Sequence, residues 1–267
     1  MQLHYIEKIR QTNPLIHNIT NIVVANYVAN GLLALGASPI MADAVEEMEA
    51  LAKLSSALVL NIGTLDSVKV ASMLVAGKAA NQQGIPVVLD PVGVGATTYR
   101  QQVVAELLQQ VKFSAIRGNA GEMAQLAGID WQAKGVDAGS GAGDVVLIAQ
   151  TVAQRYQCIA AVSGTTDYIS DGQQVAKITN GTAMFPKITG SGCLLGAVIG
   201  AFLAINQQNS FQAVTQACTA YAVAGEIAAK SLQPTQYGQF YLGLLDSLAQ
   251  LDDQKVTECA RVEVIGG

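Results

Sequence analysis

The run Thr189-Gly190-Ser191-Gly192-Cys193 opens directly into the apolar segment Leu194 to Ile205. Its residue types suit an anion-binding turn. Without a Cβ, Gly190 and Gly192 can take positive φ and let the backbone approach an anion, and the first N–H groups of the following helix have no intrahelical partner. Cys193 then falls at the positive end of the helix dipole, where its thiolate is favoured and its pKa is expected to drop below the usual value of about 8.5. Glycines so placed also serve simply to pack a helix against a strand. The spacing Gly190, Gly192, Gly196 departs from the dinucleotide fingerprint, and no Gly-Lys-Ser/Thr P-loop ending occurs in the chain.

Two carboxylates and a guanidinium complete the set. Asp90 closes the β-rich run Ile85-Pro86-Val87-Val88-Leu89-Asp90, and Arg117-Gly118-Asn119-Ala120-Gly121-Glu122 follows the apolar Ser114-Ala115-Ile116. Hard oxygen ligands of this kind suit Mg2+, which keeps several waters and takes one or two carboxylates together with phosphate oxygens. Each residue alone could equally be a helix cap or half of a surface ion pair. Together with an anion turn, they are the parts of a phosphoryl-transfer site.

Alternating strands and helices must position these groups. Thr20 to Leu35 is predicted as a helix, with Ile22, Val23, Val24, Tyr27, Val28, Leu32 and Leu35 forming its apolar stripe and Gly36 its stop. Ala57 to Ile62 reads as a buried strand, followed by a helix to about Gln82. Ile159 to Val162 reads as another strand. It leads into the β-like segments Tyr168 to Ser170 and Gln174 to Ile178, with Asp171-Gly172 as their hairpin turn. In open parallel sheets ligands bind beyond the carboxyl ends of the strands, which singles out Gly63, Asp90, Arg117 and Ser163. The alternation has no evident linker over residues 1–267, so one large α/β domain is expected.

Composition narrows the class further. Hydrophobic residues make up 51% and charged residues 13% of the 267, which leaves little charge to cover a monomer and points towards oligomers. Gln11 to Ala42 and Ile188 to Gly225 contain no Asp, Glu, Lys or Arg, as fits a core, a subunit interface or a neutral-ligand pocket. The longest apolar run, Cys193 to Ile205, is shorter than the roughly 20 residues a bilayer span needs. A net charge of −5 without a basic cluster makes nucleic acid a poor partner. Cys158, Cys193, Cys218 and Cys259 lack paired spacing, and Met1 to Arg10 has no secretory pattern, so a reduced, cytoplasmic location is expected.

Taken in order, Asn18-Ile19-Thr20-Asn21, Ala34 to Met41, Asn61-Ile62-Gly63-Thr64-Leu65, Asp90 to Ala96, Ile116 to Glu122, Asp167 to Gly172 and Gly190 to Cys193 resemble the hydroxyethylthiazole kinase family over nearly the whole chain. The resemblance implies a ribokinase-like three-layer α/β/α fold with a mostly parallel central sheet. It implies a kinase that uses ATP and Mg2+ to phosphorylate the hydroxyethyl alcohol of the thiazole half of thiamine, in homotrimers with active sites between subunits. By the same resemblance Arg117, Asn119, Ser163, Gly164 and Gly192 belong to the ATP site, Asp90 and Glu122 to the metal, and Met41, Asn21, Gly63, Thr189 and Gly190 to the thiazole site. A polarizable thioether such as that of Met41 fits against a flat sulfur heterocycle.

Cys193 holds the place where ribokinase relatives carry a catalytic Asp. A loose phosphoryl-transfer transition state needs little early proton removal, so a cysteine that orients the alcohol and only weakly accepts its proton is sufficient. Cys193→Asp is accordingly expected to retain or increase turnover, and near-complete loss in a steady-state assay would refute this role. The alternatives are a kinase for the pyrimidine half of thiamine or for pyridoxal, which would be expected to carry Asp in the turn, and an ATP-dependent dehydratase of hydrated nicotinamide nucleotides. The charge-free Gln11 to Ala42 segment argues against so anionic a substrate. Gly141-Ala142-Gly143-Asp144 spells the ribokinase turn string but precedes the Ser163 strand, so Asp144 is read as the N-cap of a helix over Val145 to Tyr156. His17 is assigned no catalytic role.

Overall fold

A computed structural model describes residues 5–131 and 142–266. The described strands are β1 (Leu15–Ile19), β2 (Ser38–Ile40), β3 (Ala57–Asn61), β4 (Val87–Asp90), β5 (Ala115–Asn119), β6 (Ile159–Ser163), β7 (Asp167–Ser170), β8 (Val175–Ile178) and β9 (Val262–Ile265). They form one sheet in the order β2-β1-β3-β4-β5-β6-β7-β8-β9. The first six are parallel, and β7, β8 and β9 are added antiparallel at one side.

The described helices are α1 (Tyr5–Thr12), α2 (Ala25–Leu35), α3 (Met48–Leu54), α4 (Ser67–Gln83), α5 (Thr98–Gln110), α6 (Ala120–Ala127), α7 (Ala142–Tyr156), α8 (Ser191–Ile205), α9 (Ser210–Ala229), α10 (Tyr237–Gln250) and α11 (Asp253–Cys259). They cover both faces of the sheet. Successive strand residues point to opposite sides, so Ile16, Val59, Val88 and Ala161 pack under α1, α2 and α8 to α11, while Leu58, Leu60, Leu89 and Val162 pack over α3 to α7. Two apolar cores on one buried sheet give the three-layer architecture expected from the sequence. Among the described residues no single helix is long and apolar enough to cross a membrane. The apolar pair α8 and α9 meets at 111° and lies in the first core.

Local signals set the helix ends. Asp66, Thr97 and Asn119 each accept a backbone N–H three residues on, and Gly36, Gly84 and Gly128 terminate α2, α4 and α6 in the left-handed conformation.

Three expectations are corrected. The helix predicted from Thr20 begins at Ala25, because residues 21–24 form a turn in which Asn21 is committed to Asn61 and the Ile22 amide to Thr64 Oγ1. Ile22 and Val23, placed in the buried stripe, are therefore 77% and 67% exposed. The strand predicted from Ile85 begins at Val87, since the Ile85 amide instead closes the end of α4 on Ala80. Asp144 is not an N-cap, because α7 starts at Ala142 and puts it inside the first turn. Gly141 lies outside the described residues.

Candidate active site

The carboxyl ends of β3 to β6 and the first turn of α8 meet at one place. Asp90, the last residue of β4, is fully buried, and its two carboxylate oxygens have different partners. Asn61 Nδ2 donates to Oδ2 at 2.7 Å, and Arg117 Nη1 lies 3.5 Å from Oδ1. Asn61 Oδ1 in turn accepts from Asn21 Nδ2 at 2.9 Å and from the Gly63 amide at 3.0 Å. Asn21 Nδ2 also lies 3.5 Å from Cys193 Sγ. Asn21, Gly63, Asp90 and Cys193, expected at the site, are thus joined through Asn61, to which the sequence reading gave no role.

On the other side of Asp90, Arg117 Nη2 donates to Ser163 Oγ at 2.7 Å, while Arg117 Nε is buried with no partner. Burial opposes the charge of Arg117, yet Asp90, Glu122, Cys193 and Asp167 together hold its pKa above the ordinary value. A cleft of about 430 Å³ opens beside it, within the range of small-molecule sites. Arg117, Asn119, Ser163, Gly164, Ser191 and Gly192 line it, as do Asp167 and Tyr221. Asp167 Oδ1 accepts the Gly164 amide at 2.9 Å. Asp167 is a second residue to which the sequence reading gave no role, although it sits three places after a strand-end glycine.

The turn has a single positive φ. Gly190 takes φ +92°, where a Cβ would also lie 2.9 Å from Val24 Cγ1, whereas Gly192 is already within α8. The expectation of positive φ at both glycines is corrected accordingly. Gly192 answers a different demand: a Cβ there would come within 2.7 Å of Arg117 Nη1. Thr189 immediately precedes the turn.

The expected fall in the Cys193 pKa is also corrected. Burial, assisted by the charge of Asp90, pushes the thiol up to about 11, against the lowering by Asn61, Arg117 and Asn21. Desolvation and a nearby carboxylate outweigh the helix end. Cys193 is therefore a neutral thiol at physiological pH.

Glu122 forms a capping box. Its Oε2 accepts the Asn119 amide at 2.8 Å, its Oε1 accepts the Gly93 amide at 2.9 Å, and Asn119 Oδ1 accepts the Glu122 amide at 2.9 Å. No group of three or more His, Cys, Asp or Glu able to hold a metal occurs among the described residues. The charge of Glu122 adds to the rise in the Asp90 pKa that burial causes. Two carboxylates without a third ligand suit a cation that relies on water and phosphate oxygens. Met41 follows the edge strand β2 and packs, half-buried, on the first core. It is not among the residues lining the cleft.

Burial raises the Asp90 pKa to about 6, with Glu122 adding to the rise and Arg117 and Asn61 opposing it, and burial likewise raises Asp167 to about 6. A raised carboxyl pKa means that the ionised form is lost as pH falls through that value. kcat/KM, which reports the free enzyme, is therefore expected to fall on the acid side of about pH 6 and to show no thiol ionisation between pH 7 and 9. A pH–rate profile of the protein and of Cys193→Ser checks both, since the acid limb should be unchanged in the variant.

A mostly parallel sheet under helices on both faces, with a glycine-bearing turn at the start of α8 and a braced arginine on β5, is the ribokinase-like three-layer fold. The pyridoxal kinase of Staphylococcus aureus, solved with ADP, shares this fold at a TM-score of 0.65 and 16% identity, over 95% of this chain and 98% of that one. The sequence pattern of the hydroxyethylthiazole kinase family matches residues 6–254, and the chain belongs to that family. It is 63% identical to a hydroxyethylthiazole kinase of Histophilus somni over 98% of this chain and 99% of the relative. The hydroxyethylthiazole kinase structure from Pyrococcus horikoshii superposes with a TM-score of 0.89 at 37% identity, over 98% and 97% of the two chains.

Proposed function

We propose that this chain transfers the terminal phosphoryl group of ATP to the hydroxyethyl alcohol of hydroxyethylthiazole, with Mg2+ as the accompanying ion, in the cytosol. One observation carries the nucleotide side: Arg117 lines the cleft, is braced by Asp90 and Ser163, and keeps a buried Nε without a partner. A buried donor left open is costly unless a ligand meets it, and phosphate oxygens are the natural acceptors of a guanidinium.

In this reading Arg117, Asn119, Ser163, Gly164 and Gly192 hold the nucleotide, and Asp90 and Glu122 hold the ion. When bound, Mg2+ offsets negative charge on the phosphates. Met41, Asn21, Gly63, Thr189 and Gly190 form the thiazole side. Cys193, a neutral thiol beside Asn21, orients the alcohol. The alcohol oxygen forms the new bond to phosphorus as the bond from phosphorus to the bridging oxygen breaks and ADP departs. The proton leaves late and passes to an oxygen of the transferred phosphoryl group and from there to solvent, so an alcohol with a pKa near the roughly 15.7 of water needs no strong base. Backbone N–H groups at the α8 N-terminus meet the transferring oxygens, because the helix end presents unpaired donors there.

The assembly in this reading is a homotrimer with active sites between subunits, and the exposed aliphatic pair Ile22 and Val23 beside Asn21, at 77% and 67%, is a surface that a neighbouring copy would bury. Incubation with ATP, Mg2+ and hydroxyethylthiazole, beside hydroxymethylpyrimidine and pyridoxal, tests the reading by mass spectrometry. A phosphate on the thiazole alone supports it, whereas a phosphate only on either rival overturns the substrate.

A further inference from the structure

Arg100 on α5 makes no ion pair among the described residues. Its guanidinium instead gathers three backbone carbonyls from two neighbouring strand ends: Nη1 donates to Ile62 O at 2.6 Å and Val92 O at 2.7 Å, and Nη2 donates to Gly63 O at 2.8 Å. These carbonyls belong to the loops after β3 and β4. The Ile62 and Val92 amides both donate to Asp90 O, at 3.2 and 2.9 Å. The Gly63 amide is held by Asn61, and the Gly93 amide by Glu122. One side chain thus spans the two loops that carry Gly63 and follow Asp90, whose further tethers to the site run to Asn61, Asp90 and Glu122, while Thr64 in the first loop is also held by the Ile22 amide and Lys69 Nζ.

From this geometry we infer that Arg100 is a positioning residue, which keeps the Gly63 loop and the Asp90 to Gly93 loop in register so that Asp90 and Glu122 face the same point as the thiazole wall. It acts through backbone carbonyls and touches neither substrate. A planar fork with several fixed donors suits three converging carbonyls, whereas the compact ammonium of lysine does not reproduce that spread. Arg117 and Ser163 lie on β5 and β6, outside the clamp.

The kinetic test rests on the phosphoryl-transfer reading above. Because misplacement of reacting groups by about 1 Å can cost on the order of 100-fold in rate, kcat of Arg100→Gln should fall by roughly that factor. The Mg2+ concentration for half-maximal rate and KM for the thiazole should rise, while KM for ATP stays within about threefold, because positioning and nucleotide contacts are separable contributions. Arg100→Lys should fall between wild type and Arg100→Gln, and millimolar methylguanidinium should restore part of the activity of Arg100→Ala.

Amide hydrogen exchange gives a readout independent of catalysis: peptides covering residues 61–64 and 91–95 should exchange faster in Arg100→Gln, and those covering 115–119 and 159–163 should not. If Arg100→Gln does not fold, the same kinetic and exchange measurements on Arg100→Lys decide the matter. Unchanged exchange at 61–64 and 91–95 overturns the inference. So does a uniform rise in every KM without methylguanidinium rescue. Wild-type protein inactive on hydroxyethylthiazole would refute the substrate reading, and the exchange pattern would then settle the clamp alone.

Discussion

Arg117→Met should lose about 3 to 5 kcal/mol of stability at pH 8, because removing one member of a buried ion pair leaves the other charge uncompensated. Asp90 is fully buried and has Asn61 as its remaining donor once the guanidinium is gone. The loss should depend on pH, and the sign follows from Asp90. Its folded pKa, about 6, already exceeds the ordinary value of 3.8. The native state therefore binds the proton more tightly than the unfolded chain, and an ionised Asp90 costs stability as pH rises through that window. Arg117 lowers this pKa, so the variant's Asp90 titrates higher still and its extra cost grows above about pH 6. Below that range both proteins carry a neutral Asp90, and the deficit should shrink. Urea unfolding at pH 8 and pH 5 measures the difference. An equal deficit at both values would mean that Arg117 does not compensate the Asp90 charge. Turnover at pH 8 should fall by at least about 100-fold, the usual consequence of deleting a buried donor aimed at developing charge.

The groups with local signatures were legible in the sequence. Asp90 and Ser163 are the last residues of parallel strands, whose ends the topology gathers along one rim, whereas Arg117, expected just past a strand, lies two residues inside the end of β5. Glu122 and Asn119 carry a capping-box spacing that fixes both side chains within one turn. Groups whose role depends on reach across the fold were hidden. Asn61 joins Asn21, forty positions earlier, to Asp90, twenty-nine positions later, and Arg100 gathers carbonyls from two loops that no periodicity pairs with it. The turn after β1 reads as helix by its apolar residues. Its Asn21 side chain is spent instead on a tertiary partner, which propensity does not register.

The thiol of Cys193 shows the same limit in energetic form. Its position at a helix start is a local fact and argues for a low pKa. Its burial and its nearness to Asp90 are tertiary facts, and they carry the pKa to about 11. Both rules hold, and the larger one decides. The consequence is a neutral Cys193 thiol near a buried Asp90 carboxylate that is ionised only above about pH 6.

Gly192→Ala should separate function from folding more sharply than any change at a charged residue. The added Cβ would lie 2.7 Å from Arg117 Nη1 and 2.8 Å from Nη2, so the guanidinium must move. The obstacle is the end of a long side chain rather than backbone, and alanine inside a helix is favoured over glycine by up to about 1 kcal/mol. The variant should therefore fold with nearly wild-type stability. Arg117, however, is held on one side by Asp90 and on the other by Ser163, and a displacement that relieves the clash disturbs both contacts and the orientation of its free Nε. A shift of about 1 Å in a charge-stabilising group is enough to cost on the order of 100-fold in kcat/KM for ATP. KM for the thiazole should change little, because Asn21 and Gly63 lie on the Asn61 side of Asp90. Paired thermal unfolding and steady-state kinetics test this. A stable variant with normal ATP kinetics would remove Arg117 from the nucleotide site, whereas an unstable one would place the role of Gly192 in packing alone.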